Sequence, residues 1–364
     1  MDDHAAIEGV EAHAYTVPTD APESDGTLEW SSTTLVVARV RAAGVEGLGY
    51  TYADTAAATL IRDKLGEVLV GRDALAVSQR YVDLVRALRN LGRAGIGGMA
   101  LSALDVALWD LKAKHLGVAL GLLLAPARRA IRAYGSGGFT SYSRDRLRGQ
   151  LGGWARDGLT AVKMKVGRDA AADAQRVADA RDAIGPTVEL FVDANGAYAQ
   201  ELALRQAVAF AARDVRWFEE PVSSDDLDGL RLLRERRPGG MAIAAGEYGY
   251  DTMYFRRMLQ AGAVDVLQAD ATRCGGVTGF LDAAALADAF GMPLSSHCAP
   301  ALHVPLCCAA RRAIHLEYFH DHARIESMLF DGAPAPRDGT LAFDTSRPGL
   351  GLEFKEKDAE CYRH

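Results

Sequence analysis

Six charged or titratable residues each close a short apolar run in the second part of the chain. Neighbouring members lie roughly 20 to 30 residues apart, about the length of one strand plus one crossover helix of a (β/α) barrel. In such a barrel every strand delivers its C-terminal residue to the same face, so the six side chains are predicted to converge there. They are Lys165, Asp193, Glu219, Glu247, Asp270 and His297.

Three of these residues are carboxylates at the ends of successive predicted strands: Asp193, Glu219 and Glu247. Without a counter-charge they would repel one another and raise one another's pKa, so they need a cation. An all-oxygen set suits Mg²⁺, which keeps coordination positions open for substrate oxygens. One such carboxylate alone would more often cap a helix or pair with an arginine, but three in consecutive strand-end positions favour a metal site.

The other charged residues could supply acid and base groups beside that metal site. Lys163 and Lys165 share one face of a strand, where two ammonium groups lower each other's pKa and make a lysine a candidate general base. The alternative is a solvated pair on an edge strand. Asp270 would orient His297 and support its protonated form, which gives a second acid/base. Isolated histidines are more often structural, and that interpretation applies to His303, His315, His320 and His322.

The composition argues against several other functional classes. The net charge is −7 and no basic segment could bind nucleic acid. No apolar run reaches membrane-spanning length, and the start of the chain lacks the regions of a signal peptide. The five cysteines include no CxxC pair, so a disulfide framework or a cysteine metal site is not expected. We therefore predict a soluble, cytoplasmic protein with no nucleic-acid or membrane partner.

The first part of the chain lacks the regular alternation of strands and helices that a barrel requires, and it is predicted to form a small α+β domain. Residues 34–40 and 45–52 are β-rich runs separated by a hairpin signal. The polar, turn-rich stretch 18–26 before them is predicted to be a mobile loop. The clearest helix runs over about 99–116, where leucines share one face.

From about residue 132 short apolar runs alternate with helical segments rich in Ala, Leu and Arg. This alternation predicts the strands of a (β/α) barrel. After residue 324 the rhythm is lost and turn signals predominate, so the tail is predicted to return to the first domain. The eight predicted strands are 131–135, 161–166, 188–193, 215–219, 241–246, 264–269, 293–297 and 314–318.

Short motifs surround the candidate residues in a fixed order along the chain. They are Lys163-x-Lys165, Asp193-x-Asn195, Trp217-Phe-Glu219-Glu-Pro, Ala245-Gly-Glu247, Gln268-x-Asp270-x-x-Arg273-x-Gly-Gly276 and Ser296-His297, with Ala107-Leu-Trp-Asp-Leu-Lys112 and Pro348-Gly-Leu-Gly351 outside the barrel. Each motif alone is weak, but the ordered set is highly specific and covers nearly the whole chain. It resembles the enolase superfamily, mandelate racemase subgroup.

The resemblance implies an α/β fold, a modified TIM barrel of the (β/α)₇β type with an α+β capping domain made from both chain ends. We place the boundaries at 1–125 for the N-terminal part of the cap, 126–322 for the barrel and 323–364 for the tail. The resemblance also implies Mg²⁺ on the three carboxylates, and a homo-oligomer is expected.

Roles for individual residues also follow from the resemblance. Lys165 is the implied base on one face and the Asp270–His297 pair acts on the other, while Lys163 stabilises the substrate carboxylate and lowers the pKa of its partner. Glu317 matches the acid that hydrogen-bonds the substrate carboxylate or enolate, Asn195 resembles a substrate contact, and Glu220 is expected to turn away. Independently of the resemblance, Trp30, Phe139 and the stretch 18–27 are predicted to shape the substrate pocket.

The implied common step is removal of the proton α to a carboxylate, which gives an enediolate. If His297 then expels a β-hydroxyl, the enzyme is an acid-sugar dehydratase that makes a 2-keto-3-deoxy acid, and this is the preferred function. Return of a proton to the opposite face makes it a racemase or epimerase, and ring-opening of a lactone makes it a cycloisomerase. A Schiff-base lyase that uses Lys163 or Lys165, or a non-catalytic binding protein, are the alternatives from other classes.

Overall fold

The computed structural model describes residues 5–364. The first four residues, on which the prediction about a signal peptide rests, lie outside the described part. Within it, no helix is both long and apolar enough to cross a bilayer.

An antiparallel sheet of three strands opens the described chain: β1 (Ile7–Ser24), β2 (Glu29–Ala42) and β3 (Val45–Tyr52). The prediction of a mobile loop over 18–26 is wrong, because residues 18–24 continue β1. They pair with the start of β2, with a register shift between Pro18 and Glu23. This pairing satisfies the backbone of a polar stretch whose composition alone is typical of a turn.

One long buried helix packs on this sheet. The helix predicted over 99–116 is α4, which spans Ile96–His115 and contacts β3 where Gly47 and Gly49 lie. A Cβ on Gly49 would lie 2.0 Å from the carbonyl oxygen of Ala103, so only glycine permits this approach. The helices of this region are α1 (Ala56–Leu60), a π-helical segment Ile61–Leu65, α2 (Gly66–Leu69), α3 (Val77–Ala87), α4 and α5 (Leu120–Leu123).

Eight parallel strands then form a closed barrel, since the first of them, β4, pairs with the last, β11. Every predicted strand is present and ends within about two residues of its expected end. The strands are β4 (Ala130–Gly137), β5 (Ala161–Lys165), β6 (Glu189–Asp193), β7 (Val215–Glu219), β8 (Ala242–Ala245), β9 (Val266–Ala269), β10 (Leu294–Ser296) and β11 (Ala313–Phe319).

One main helix connects each barrel strand to the next, which confirms the (β/α)₇β order. These helices and the one after β11 are α6 (Arg144–Arg156), α7 (Ala170–Ile184), α8 (Gln200–Ala211), α9 (Leu227–Arg236), α10 (Thr252–Gln260), α11 (Gly276–Ala289), α12 (Pro300–Ala309) and α13 (His320–Leu329).

The tail returns to the N-terminal sheet, as predicted. The backbone N–H of His364 donates to the carbonyl oxygen of Ala14 at 3.0 Å, and Arg39 pairs with Glu356. The tail's elements are β12 (Phe330–Asp331), β13 (Thr340–Ala342), β14 (Glu353–Phe354), α14 (Glu356–Ala359) and a 3₁₀ turn Glu360–Tyr362. We use "cap" for β1–β3, α1–α5 and this returning tail, except for β13, which pairs antiparallel with β4 of the barrel.

A buried carboxylate on α4 joins three parts of the cap. Asp110 is fully buried and accepts backbone hydrogen bonds from Leu48 at 2.7 Å and from Leu350 at 2.6 Å. The ammonium of Lys114 lies 2.7 Å from the same carboxylate. Asp110 therefore fixes the sheet and the tail to α4.

Candidate active site

The barrel brings all six residues of the sequence pattern, together with Lys163 and Glu317, to one end. Adjacent strands are in register at this end, with Lys165 opposite Asp193 and Asp193 opposite Glu219. All eight side chains are buried. Parallel strands that end at one level position them together, as the spacing predicts.

The three carboxylates of Asp193, Glu219 and Glu247 form one cluster. One oxygen from each lies within 4.8 Å of the other two. Burial, together with the charge of Asp193, raises the pKa of Glu219. Among the described residues, Oε2 of Glu247 accepts no hydrogen bond, and it lies 3.3 Å from Nε2 of His297. The all-oxygen cluster fits a hard divalent cation such as Mg²⁺.

Both lysines of β5 contact these carboxylates. The Nζ of Lys163 lies 2.6 Å from Oε1 of Glu219 and 2.8 Å from Oε1 of Glu317. The Nζ of Lys165 lies 2.5 Å from Oδ2 of Asp193. The lysine pair is therefore central and buried, rather than a solvated pair on an edge strand.

The pKa of Lys165 is raised, whereas the sequence predicted that the neighbouring lysine would lower it. Burial and the charge of Lys163 both act to lower the pKa of Lys165, but the carboxylates of Asp193, Glu247 and Glu219 raise it overall. The repulsion between the two ammonium groups is therefore present, but it lowers the pKa of Lys165 by less than the carboxylates raise it. A cation held by these carboxylates would offset their charge and so favour a lower pKa at Lys165.

Asp270 and His297 form the expected pair. Oδ2 of Asp270 lies 2.8 Å from Nδ1 of His297, and Oδ1 accepts the backbone N–H of Thr272 at 2.7 Å. Burial acts to lower the pKa of His297, but the charge of Glu247 and the bond to Asp270 raise it overall. Nε2 of the imidazole lies 3.2 Å from Sγ of Cys298 and 3.3 Å from Oε2 of Glu247, and the ring lines the cavity described below.

Glu317 and Asn195 lie beside these groups. Oε2 of Glu317 accepts the backbone N–H of Cys298 at 2.7 Å, which orients its other oxygen toward Lys163. Asn195 has a left-handed backbone with φ +47°, and its N–H donates to Asp193 at 2.8 Å. The side-chain oxygen of Asn195 is buried without a partner among the described residues, so it can still accept a hydrogen bond from a ligand.

A cavity of about 420 Å³ lies between the barrel end and the cap. Lys165, Asn195 and His297 line it from the barrel, and Trp30 lines it from β2. Phe139 does not line it; this side chain is fully buried and packs edge-on against Trp30 with ring centroids 5.6 Å apart.

Sequence reasoning missed most of the cap residues that line the cavity. The consecutive polar residues in β2 could have indicated them, because polar side chains in a strand that faces the barrel indicate a surface in contact with solvent. His322 also lines the cavity, although it was interpreted as structural. Asp25, which also lines the cavity, belongs to the stretch 18–27 that was predicted to shape the pocket. The missed residues are Leu28, Ser32, Thr33, Thr34, Tyr52, Ala53 and Asp54 from the cap, and Tyr248, Thr272, Arg273, Cys298, Phe319 and His322 from the barrel side.

Glu220 turns away from the cluster as expected, but it is not solvent-exposed. Its backbone is left-handed with φ +37°, its side chain is buried, and Oε1 has no partner among the described residues. It lines a second cavity of about 650 Å³ that shares Asn195 and Tyr248 with the first.

Two families match this chain. Residues 12–125 match "Mandelate racemase / muconate lactonizing enzyme, N-terminal domain" and residues 146–358 match "Enolase C-terminal domain-like". The chain belongs to the mandelate racemase subgroup of the enolase superfamily. A mandelate racemase/muconate lactonizing enzyme-like protein from Rubrobacter xylanophilus is 51% identical with a TM-score of 0.97, covering 99% of this chain and 100% of its own.

Relatives with named activities are more distant. L-talarate/galactarate dehydratase of Salmonella typhimurium is 30% identical over 96% of this chain and 89% of its own length. The structure of a racemase from Streptomyces coelicolor with bound magnesium has a TM-score of 0.92 at 30% identity, covering 98% of this chain and 100% of that one. Other similar proteins are named arabinonate dehydratase and 3,6-anhydro-alpha-L-galactonate cycloisomerase.

Proposed function

We propose that this protein is a Mg²⁺-dependent acid-sugar dehydratase. The observation that carries the proposal is that a lysine and an Asp-supported histidine enter one cavity from β5 and from the end of β10, beside the carboxylate cluster. Relatives named as dehydratases and a relative with bound magnesium support it.

The carboxylate cluster would hold Mg²⁺, which supplies positive charge that stabilises negative charge developing on the substrate carboxylate. Lys165 removes the proton α to that carboxylate, with its Nζ as the base. Lys163 holds the carboxylate in place through its ammonium group, which Glu317 orients from 2.8 Å. His297 donates the proton on Nε2 to the β-hydroxyl, which leaves as water, and Asp270 stabilises the imidazolium until that transfer.

Isomerisation on the same site is the second candidate. The names of the cycloisomerase and racemase relatives favour it, and it needs the same lysine and histidine. A Schiff-base lyase is less well supported, because both lysines lie beside a carboxylate cluster that fits a divalent cation, and covalent amine chemistry has no use for that cluster.

The product of the reaction tests this proposal. Purified protein is treated with a chelator, reloaded with Mg²⁺ and incubated with a library of acid sugars. We expect a 2-keto-3-deoxy acid, detected with a carbonyl reagent, only in the Mg²⁺-loaded samples. Inversion at the α-carbon without a carbonyl product, on the best substrate found, would replace the dehydratase with a racemase.

A homo-oligomer, a cytoplasmic location and the absence of nucleic-acid or membrane partners remain predictions from the sequence. Light scattering of the purified protein measures the first of these. The partner that we propose is a small carboxylate, a sugar acid or its lactone.

A further inference from the structure

The two ends of the substrate cavity differ in charge. Lys165 and Arg273 are the lysine and arginine among the described residues that line it, and both belong to the barrel. Arg273 is already balanced, since its guanidinium lies 3.4 Å from Glu247 and 3.7 Å from Asp270. His322 adds no charge, because burial lowers its pKa to about 3.

The cap end is neutral or acidic. Asp25 and Asp54 both line it, and no lysine or arginine of the described cap residues does. Oδ1 of Asp25 is occupied by the backbone N–H groups of Thr27 and Leu28 at 2.6 and 2.7 Å. Asp54 is exposed and lies at the mouth of the cavity. A negatively charged group placed at this end would therefore meet like charge.

One hydroxyl group of the cap end, that of Thr33, is oriented to accept a hydrogen bond. Thr33 donates its hydroxyl hydrogen to the buried carboxylate of Asp321, which leaves its oxygen as an acceptor toward the cavity. Trp30 donates its indole N–H to Glu23 at 2.9 Å, on the side away from the cavity lining. The N–H of Trp30 and the hydroxyl hydrogen of Thr33 thus point away from the cavity, and the oxygen of Thr33 remains as an acceptor for a ligand.

We infer that the substrate is a monocarboxylic sugar acid, whose far end carries a neutral hydroxyl group rather than a second carboxylate. This inference rests on the proposed function and names its substrate class. A carboxylate at the cap end would lose its water without gaining a cation, which is costly. A hydroxyl loses less on burial and can donate to Thr33 or Asp54.

Matched pairs of sugar acids test the inference. Gluconate and glucarate, and galactonate and galactarate, share their carbon configurations and differ in the oxidation of carbon 6. The Mg²⁺-loaded enzyme is assayed for kcat/KM, and binding of each acid is measured by calorimetry. In the pair with the accepted configuration, we expect the monoacid to exceed the diacid by about 100-fold or more in both measurements.

A positive charge introduced at the cap end tests whether charge causes the preference for the monoacid. Ser32 lines the cavity and is exposed. Ser32→Lys should narrow the monoacid preference by about tenfold or more, whereas Ser32→Gln, which adds similar bulk without charge, should leave it unchanged. If both variants change the ratio equally, charge is not the cause and the inference is overturned.

The outcomes separate this inference from the proposed function. A diacid that is dehydrated as well as its monoacid partner overturns the inference and leaves the dehydratase intact. A monoacid that binds preferentially but is isomerised rather than dehydrated overturns the dehydratase and keeps the inference. Failure of both members of every pair to bind overturns the inference.

Discussion

Replacing Asp270 by asparagine changes one hydrogen bond at the proposed acid. The new amide has the same shape, and its oxygen can keep the 2.7 Å bond from the backbone N–H of Thr272. Its nitrogen then faces Nδ1 of His297, where the carboxylate stood at 2.8 Å. An amide nitrogen only donates, so Nδ1 must become an unprotonated acceptor. The imidazolium form of His297, which needs a proton on both nitrogens, is thereby disfavoured.

The expected loss follows from that single bond. A hydrogen bond to a charged group contributes about 1.5 to 3 kcal/mol, which corresponds to roughly a 10- to 150-fold lower rate when the charged imidazolium is needed. Burial acts to raise the pKa of Asp270, but the hydrogen bond to His297 lowers it overall, so the carboxylate form is the native partner. Mg²⁺ affinity should change little, because Asp270 is outside the carboxylate cluster.

The assay compares wild type and Asp270→Asn on the best acid-sugar substrate. Dehydration is followed with a carbonyl reagent, exchange of the α-proton by NMR in deuterium oxide, and Mg²⁺ binding by calorimetry. We expect the dehydration rate to fall while exchange through Lys165 persists. A variant that dehydrates within about threefold of wild type would refute the role of the pair, since 1.5 kcal/mol already requires about tenfold.

Three further changes test other parts of the structure. Glu219→Gln should lower Mg²⁺ affinity in calorimetry by at least the 10- to 100-fold typical of a lost outer-shell partner, while circular dichroism still reports a folded barrel. Gly49→Ala should lower the free energy of unfolding, measured by chemical denaturation, by about 3 kcal/mol, because its Cβ would lie 2.0 Å from a backbone oxygen. The control Gly44→Ala should lower it by only about 1 kcal/mol, since Gly44 has φ +72° but no atom within 4 Å of its Cβ position. Burial raises the pKa of Glu326 to about 8 in the folded protein. The protonated side chain therefore contributes its full stability below the pKa of the unfolded state, and this contribution is lost as the pH rises through about 8. Relative to Glu326→Gln, wild type should therefore lose about 1.4 kcal/mol of unfolding free energy per pH unit between about pH 5 and 8, and equal pH profiles would contradict this.

The barrel and the converging side chains could be predicted because each signal is local. A parallel strand buried on both faces appears as a short apolar run, and the residue that ends it must reach the open end of the barrel. Lys165, Asp193 and Glu219 were therefore identifiable from spacing alone, and adjacent strands hold them side by side.

The features that could not be predicted depend on pairing across the fold. The start of β2 forms a ladder with residues 18–24, and that partner is chosen by three-dimensional position, not by the turn-like composition of the stretch. Polar positions such as Thr33 line the cavity only because the cap sits over the barrel. The high pKa of Lys165 depends on distances to Asp193 and Glu247, which spacing does not give.

The two backbone donors of Asp110 have a consequence for synthesis on the ribosome. Leu48 lies 62 residues before Asp110, whereas Leu350 lies 240 residues after it. At about 5 to 20 residues per second, tens of seconds separate the emergence of the carboxylate from that of its second donor. During that time the whole barrel is made beneath a cap whose buried carboxylate lacks one hydrogen bond. The nascent chain thus acquires the barrel and its chemical groups before the tail can bind to α4.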